Sequence, residues 1–339
     1  CFAFFSDNEG TTETVCCAIR KRLGGTWVLQ GMPVAVSAHA DVLRFPDFAH
    51  NCAEVNDILK YAGEHVESGK PVNVIDKKCA DGFKHETELV ALLKNAVEND
   101  GFDVYYQPIY NLEKEKYTSA EALIRLSDTG SFGQVSPDEF IPVAEKNGLI
   151  TDIGNIVLKK VCRFISGNRI NELGIDYVEV NLSGVQIVNS SLPDDIMAVL
   201  NEHNVPSHFL NFEMAETAET SNHMAVNIHR IRSGGSGFSL EDFGKVGSGL
   251  SKITDNGFDI IKLDKSLVQP CLDRENKKAG IILESLIGMI RQLGIEIAAE
   301  GVETEEMANE LIADGVNYLQ GYYYSRPLSE GKFLEFIKQ

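Results

Sequence analysis

The sequence predicts an α/β protein in two parts, a small mixed region over residues 1–80 and a larger domain over residues 81–339. Three observations carry this. From about residue 86 onward, short β-rich runs take turns with segments of helical periodicity. A polar stretch, Asp76-Lys77-Lys78 through Lys84-His85-Glu86, separates that rhythm from what precedes it. And the β-rich runs of the larger part end on polar residues. Strands alternating with helices over this length form a (β/α) barrel or a doubly wound sheet.

The first region holds short strand patterns at 2–5, 26–30 and 33–38 and helical patterns at 11–22 and 50–66. Residues 76–86 are expected to form a polar connector. A helix over 86–98 then leads into the strand Val104–Ile109 and the alternating strand Tyr117–Leu126. Helices follow at 137–146, 152–170, 190–203, 217–233, 275–293, 304–313 and 329–338. Between them lie β-rich runs at 177–181, 209–213, 237–240, 258–262, 296–299 and 316–320.

Composition narrows the function classes. Of 339 residues, 43% are hydrophobic and 24% charged, ordinary values for a globular protein. The net charge of -19 argues against a nucleic-acid polymer or an anionic membrane surface as partner. No apolar run reaches bilayer length, since Glu284, Arg291 and Glu296 interrupt residues 281–299. The seven cysteines have no C-x-x-C spacing, which predicts free thiols, a reducing cytoplasmic setting and no zinc site. Because the chain begins with Cys1, it is expected to be a fragment, with sensor or membrane-tethering segments upstream.

The polar residues closing the β-rich runs are Asn181, Glu213, Glu241-Asp242, Lys262, Glu300 and Gln320, with Glu121 inside the first strand. In a barrel these converge on the face where the strands' carboxyl ends meet. Carboxylates and an amide oxygen are hard ligands suited to Mg²⁺ or Mn²⁺. The adjacent acids Glu241 and Asp242 can serve neighbouring ions, in the manner of two-metal sites that clamp both oxygens of a phosphoryl displacement. Lys262 then orients water or stabilises charge, Glu300 acts as base, and Arg125 pairs with a phosphate. Bound cations would also reconcile so acidic a chain with an anionic substrate.

The ordered motifs resemble the EAL domain, the bacterial phosphodiesterase that linearises cyclic di-GMP. They are Tyr106-Gln107-Pro108-Ile109, Glu121-Ala122-Leu123-Ile124-Arg125, Ser136 to Pro142, Val180-Asn181-Leu182-Ser183, Phe212-Glu213 with Glu216, Asp242-Phe243-Gly244, Ile261-Lys262-Leu263-Asp264, Glu300 to Thr304, and Gln320-Gly321-Tyr322 with Arg326-Pro327. The resemblance implies a modified TIM (β/α)8 barrel with one antiparallel strand. It implies two Mg²⁺ or Mn²⁺ ions held by Glu121, Asn181, Glu213, Glu241, Asp242 and Glu303, with Lys262 and Glu300 at the attacking water. It places Gln107, Arg125, Asp264 and Gln320 at the substrate, makes Glu216 the brace of the loop after Asp242, and implies a homodimer formed through the barrel. Residues 1–76 loosely resemble the closing half of a GGDEF domain, a partial α/β fold without its signature loop.

This chain departs from the family at several positions. Glu241 stands where an aspartate is usual, and Lys245 to Leu250 lack the usual threonine, glycine and aromatic residues. Ala215 replaces a threonine, and Leu126 a tryptophan. A second reading is therefore a domain that binds cyclic di-GMP and signals without cleaving it; a third is a scaffold binding neither ion nor nucleotide. Glu303, beside Glu305 and Glu306, fits the first turn of a helix as well as a metal. The run Tyr322-Tyr323-Tyr324 is expected to be strand packing, and Tyr105-Tyr106 core.

Overall fold

Two compact units divide the chain, Cys1–Ala91 and Leu92–Gln339. The computed structural model describes residues 9–35, 40–65, 72–215, 221–245, 253, 257–271 and 277–338.

In the first unit, helix α1 (Glu9–Leu23) precedes an antiparallel hairpin of β1 (Thr26–Leu29) and β2 (Met32–Ala35). Gln30 and Gly31, both at positive φ, make its two-residue turn. Strands β3 (Ala40–Val42) and β4 (Val72–Val74) pair in parallel, with α2 (Cys52–Glu64) between them in the chain. Asn51 caps α2, its side-chain oxygen accepting from the Ala53 and Glu54 amides at 3.0 Å. Ala49, Ile58, Ala62 and Ile75 form a small core. The expected strand at 2–5 and the end of that at 33–38 lie outside the described residues. Strands β3 and β4 were not expected, because three residues cannot display a period of two.

The expected connector at 76–86 is helical instead. Helix α3 (Lys77–Glu98) starts where the Asp76 carboxylate accepts the Cys79 amide at 2.9 Å. Its early charged residues lie largely toward solvent, and Leu89, Leu93 and Ala96 are buried. A polar stretch therefore read as a linker is the first half of an amphipathic helix.

The second unit is a closed barrel. Strands β6 (Lys116–Leu126), β7 (Tyr177–Asn181), β8 (Leu210–Ala215), β9 (Gly237–Phe243), β10 (Ile260–Leu263), β11 (Glu296–Ala299) and β12 (Tyr318–Leu319) run parallel, each beside the next. Strand β5 (Phe102–Asn111) is antiparallel to both β6 and β12 and closes the ring through Tyr318↔Asn111 and Leu319↔Tyr110. That pairing decides for the barrel over the doubly wound sheet. A short strand β13 (Leu328–Ser329) adds to β5 at Tyr106 and Tyr105.

Around the barrel run α4 (Pro137–Lys146), α5 (Ile150–Asn168), α6 (Gly184–Ile187), α7 (Leu192–His203), α8 (Asn222–Ser233), α9 (Lys265–Val268), α10 (Lys277–Gln292), α11 (Glu305–Asp314) and α12 (Glu330–Ile337). Residues 217–220 of the expected helix 217–233 lie outside the described residues. Strand period explains the layering. Val178, Val180, Phe212, Met214, Phe238, Leu240, Ile261, Leu263, Ile297 and Ala299 join the large core shared with the helices. The alternate positions form the barrel's own interior: a separate apolar cluster of Ile109, Ile260, Ala298 and Tyr318, and beyond it polar residues. Tyr106 is buried and stacked on Phe164, as expected of core. Among the described residues, no helix is long and apolar enough to cross a membrane.

Candidate active site

Parallel register sets the inward side chains beside one another. Glu121 pairs in register with Glu179, Asn181 with Glu213, Glu213 with Ser239, and Ala215 with Glu241. Lys262, inward on β10, reaches the centre and is fully buried. Its ammonium donates to Glu213 Oε1 at 2.5 Å, to Glu179 Oε2 at 3.2 Å and to Glu121 Oε2 at 3.4 Å, and pairs with Glu300 Oε1 at 2.8 Å. Asn181 Nδ2 donates to Glu121 Oε1 at 3.1 Å, and Gln320 Nε2 to Glu121 Oε2 at 2.6 Å. Gln107 accepts from Gln320 at 3.4 Å and donates to the Ser325 carbonyl at 3.1 Å.

Two acidic triads overlap here. Glu121, Glu213 and Glu241 bring one oxygen each to within 4.8 Å of one another, and so do Glu241, Asp242 and Glu300. Glu241 belongs to both. Its carboxylate thus occupies the sharing position even with the extra methylene. Glu213 Oε2 is buried and meets no donor among the described residues. An orphaned buried oxygen within a set of hard oxygen ligands is the environment a divalent cation satisfies, so the residues fit Mg²⁺ or Mn²⁺.

The electrostatics follow from burial and crowding. Burial alone would push the Glu121 carboxyl up, but Lys262 and the hydrogen bonds from Gln320 and Asn181 hold it below its ordinary value. Glu213 is driven well above the usual carboxylate range by burial and by the charge of Glu179. Burial and Glu300 do the same to Glu241. Burial and the Glu121 charge raise Glu300 despite Lys262. Burial opposes the charge on Lys262, yet Glu121, Glu179, Glu213 and Glu300 keep it firmly protonated.

Above this cluster lies a cavity of about 410 Å³. Of the residues expected at the site, Gln107, Glu121, Glu241, Asp264, Glu300, Glu303 and Gln320 line it. Asp264 also caps α9, accepting the Ser266 amide at 2.8 Å. Exposed Glu303 precedes the α11 cap Thr304 and belongs to neither triad. Arg125 does not line the cavity; it donates to the Ile124 carbonyl at 2.7 Å and lies 6.0 Å over the Tyr105 ring. Glu216 and residues 246–250 lie outside the described residues. Lys245 is described, and its ammonium pairs with Asp242 Oδ1 at 2.5 Å and Asp264 Oδ2 at 3.8 Å.

Sequence reasoning missed three participants. Glu179 was passed over because only the residue closing each run was considered; two residues before Asn181, it shares that residue's face. Asp138, on the first turn of α4, lines the cavity too. Tyr322 corrects the strand-packing reading: β12 ends at Leu319, and Tyr322 stands half-exposed in a turn at the cavity with Arg326 4.2 Å over its ring. Tyr324 does pack, stacked on Tyr110. A larger, shallow cavity of about 480 Å³ near the amino ends of β9 and β10 has Arg232 paired to Asp259 at 2.5 Å and, among the described residues, no acidic cluster.

A barrel with one antiparallel strand and a carboxylate-lysine bowl at its carboxyl face defines a class, and comparison with known proteins gives its family. Residues 91–327 match the EAL domain model, and the chain belongs to that family. The signaling protein YkoW of Bacillus subtilis (strain 168) is 35% identical over 250 residues, 73% of this chain and 30% of that protein. The probable cyclic di-GMP phosphodiesterase PdeB of Escherichia coli (strain K12) is 32% identical over 252 residues, 73% of this chain and 46% of that protein. The chain thus spans less than half the length of these relatives. The solved PaMucR phosphodiesterase, in complex with c-di-GMP, superposes with a TM-score of 0.67 at 29% identity, over 73% of this chain and 99% of that one.

Proposed function

We propose that the barrel hydrolyses one phosphodiester bond of cyclic di-GMP to give the linear dinucleotide, using two Mg²⁺ or Mn²⁺ ions. The observation that carries this is the pair of acidic triads sharing Glu241, beside Lys262 and under a cavity. Names of relatives and the ligand of the PaMucR structure supply the substrate class. Glu121, Asn181, Glu213, Glu241 and Asp242 would hold the ions, with Glu303 at the rim. Bound there, the ions would polarise the phosphate and acidify water.

The chain's own residues do the rest. Lys262 ties four carboxylates to one point, so the ligand oxygens are preorganised and not splayed by mutual repulsion. Glu300, raised above its ordinary value and 2.8 Å from Lys262, takes the proton of the attacking water. Gln107, Asp264 and Gln320 contact the nucleotide, as does Arg125 where a phosphate reaches it. The barrel acts as a homodimer, and the first unit is the closing part of a GGDEF-like domain.

Incubating the purified chain with cyclic di-GMP and Mn²⁺ and resolving products by chromatography tests this. The linear dinucleotide is expected, and Glu121→Gln should lower the rate by more than about 100-fold, since losing a partner outside the ligand shell already costs 10–100-fold. Undiminished turnover in Glu121→Gln would overturn the site assignment. Binding without product would favour the second reading, a cyclic di-GMP receptor, for which the Lys245–Asp242 ion pair speaks.

A further inference from the structure

We infer that Lys245 is an internal cation that competes with a divalent metal for the Asp242 side of the bowl. This deepens the proposed function and rests on its metal-site reading. Lys245 follows β9 by two residues, and its ammonium sits 2.5 Å from Asp242 Oδ1 and 3.8 Å from Asp264 Oδ2. Asp242 belongs to the triad with Glu241 and Glu300, and Asp264 lines the cavity. The ammonium therefore stands between an oxygen of one triad and the cavity wall, in space a cation held by Asp242 would use.

The two triads are unequal for this reason. The triad of Glu121, Glu213 and Glu241 is tied to Lys262, which lies at the barrel centre and leaves Glu213 Oε2 without a donor among the described residues. The triad of Glu241, Asp242 and Glu300 already has an ammonium on its outermost member. A divalent ion entering there must displace Lys245 or accept its repulsion in addition to that of Lys262, which also pairs with Glu300; one entering the inner triad faces Lys262 alone and finds Glu213 Oε2 without a donor among the described residues. Asp242 has a φ of 62°, in the left-handed region, and its ammonium partner lies three residues further along the chain. Lys245 is 47% exposed on its side chain, so the swap with solvent is open and the competition is graded. This domain accordingly fills one ion site readily and the second only at higher metal concentration, and Lys245 sets that interval.

The test is Mn²⁺ titration of the metal-free full chain, read as the loss of the free-ion paramagnetic resonance signal, which needs no turnover. The wild type should show two affinities. Lys245→Gln should tighten the weaker by about fivefold, the size expected of a half-exposed ion pair, and leave the tighter unchanged. Lys245→Arg, which keeps the charge, should follow the wild type, and matching circular dichroism spectra verify folding. Superposable curves for wild type and Lys245→Gln, both with bound Mn²⁺, would overturn the role of Lys245 and leave the metal-site reading standing. Absence of Mn²⁺ binding in both would overturn that reading and the inference with it. Tightening in Lys245→Arg equal to that in Lys245→Gln would refute competition by charge.

Discussion

Replacing Lys262 by Met tests the centre of the site most directly. The substitution keeps much of the side-chain volume and removes the only ammonium within reach of Glu121, Glu179, Glu213 and Glu300 among the described residues. Lys262 and Glu213 have no side-chain exposure, and Glu179 and Glu121 have 1% and 7%, so solvent cannot compensate. Removing one partner of a buried pair costs about 3–5 kcal/mol. For a domain of this size that is a fall in Tm of roughly 6–20 °C. The deficit must also depend on pH with a definite sign. Deprived of Lys262, the Glu213 and Glu300 carboxyls move further up, and an acid raised in the folded state contributes stability at low pH that disappears as pH rises through its folded value. In EDTA, calorimetry should therefore find the deficit largest at alkaline pH and shrinking toward pH 5. A Tm equal to the wild type at pH 8, or a deficit that grows as pH falls, refutes the account of Lys262 as the counterion of the bowl.

Other expectations follow from the same geometry. For the metal-free wild type, the raised Glu213, Glu241 and Glu300 should make urea-denaturation stability decline as pH climbs above the ordinary carboxylate range, and saturating Mn²⁺ should flatten that slope because ions replace protons. Gln320→Ala removes the 2.6 Å donor to buried Glu121 and should cost about 1.5–3 kcal/mol in the same assay; a cost under about 0.5 kcal/mol contradicts it. A Cβ at Gly321 would collide with the Val302 backbone, its carbonyl oxygen first, so Gly321→Ala should displace the turn carrying Tyr322 and weaken nucleotide binding measured by calorimetry, with unchanged affinity as the contrary result.

The barrel was legible because its strands alternate and its helices repeat at 3.6, two periods that survive in sequence. Its closure was not. The pairing that distinguishes a ring from an open sheet rests on β12, which has two residues, Tyr318 and Leu319, too few to carry any pattern. Only the ordered motifs, through the antiparallel first strand they imply, pointed to a ring. The same limit hid β3, β4 and β13. Residues 76–86 misled for the opposite reason: charge density there marks the solvent-facing side of α3, and the apolar residues that reveal a helix come only at Leu89 and Leu93. At the site, strand-terminal acids were visible as breaks in apolar runs. Glu179 was hidden because it sits one inward step deeper, flanked by Val178 and Val180, where an isolated acid reads as the outer face of a half-buried strand.

Glu179 alters the charge balance that the site must solve. With it, five carboxylates (Glu121, Glu179, Glu213, Glu241 and Glu300) gather around or beside a single buried ammonium. Uncompensated buried charge costs several kcal/mol per ion, so the metal-free bowl must take up protons, which is why Glu213, Glu241 and Glu300 are all raised. Two divalent cations would neutralise this set without protons. Lys245 already balances Asp242 outside it. Protons and ions thus compete for the same oxygens, and only the ion-filled bowl would set divalent cations against the cavity with the surrounding negative charge neutralised. A chain with a net charge of -19 gains affinity for a phosphodiester only in that state, so nucleotide binding should strengthen with rising pH when metal is present and weaken with rising pH when metal is withheld.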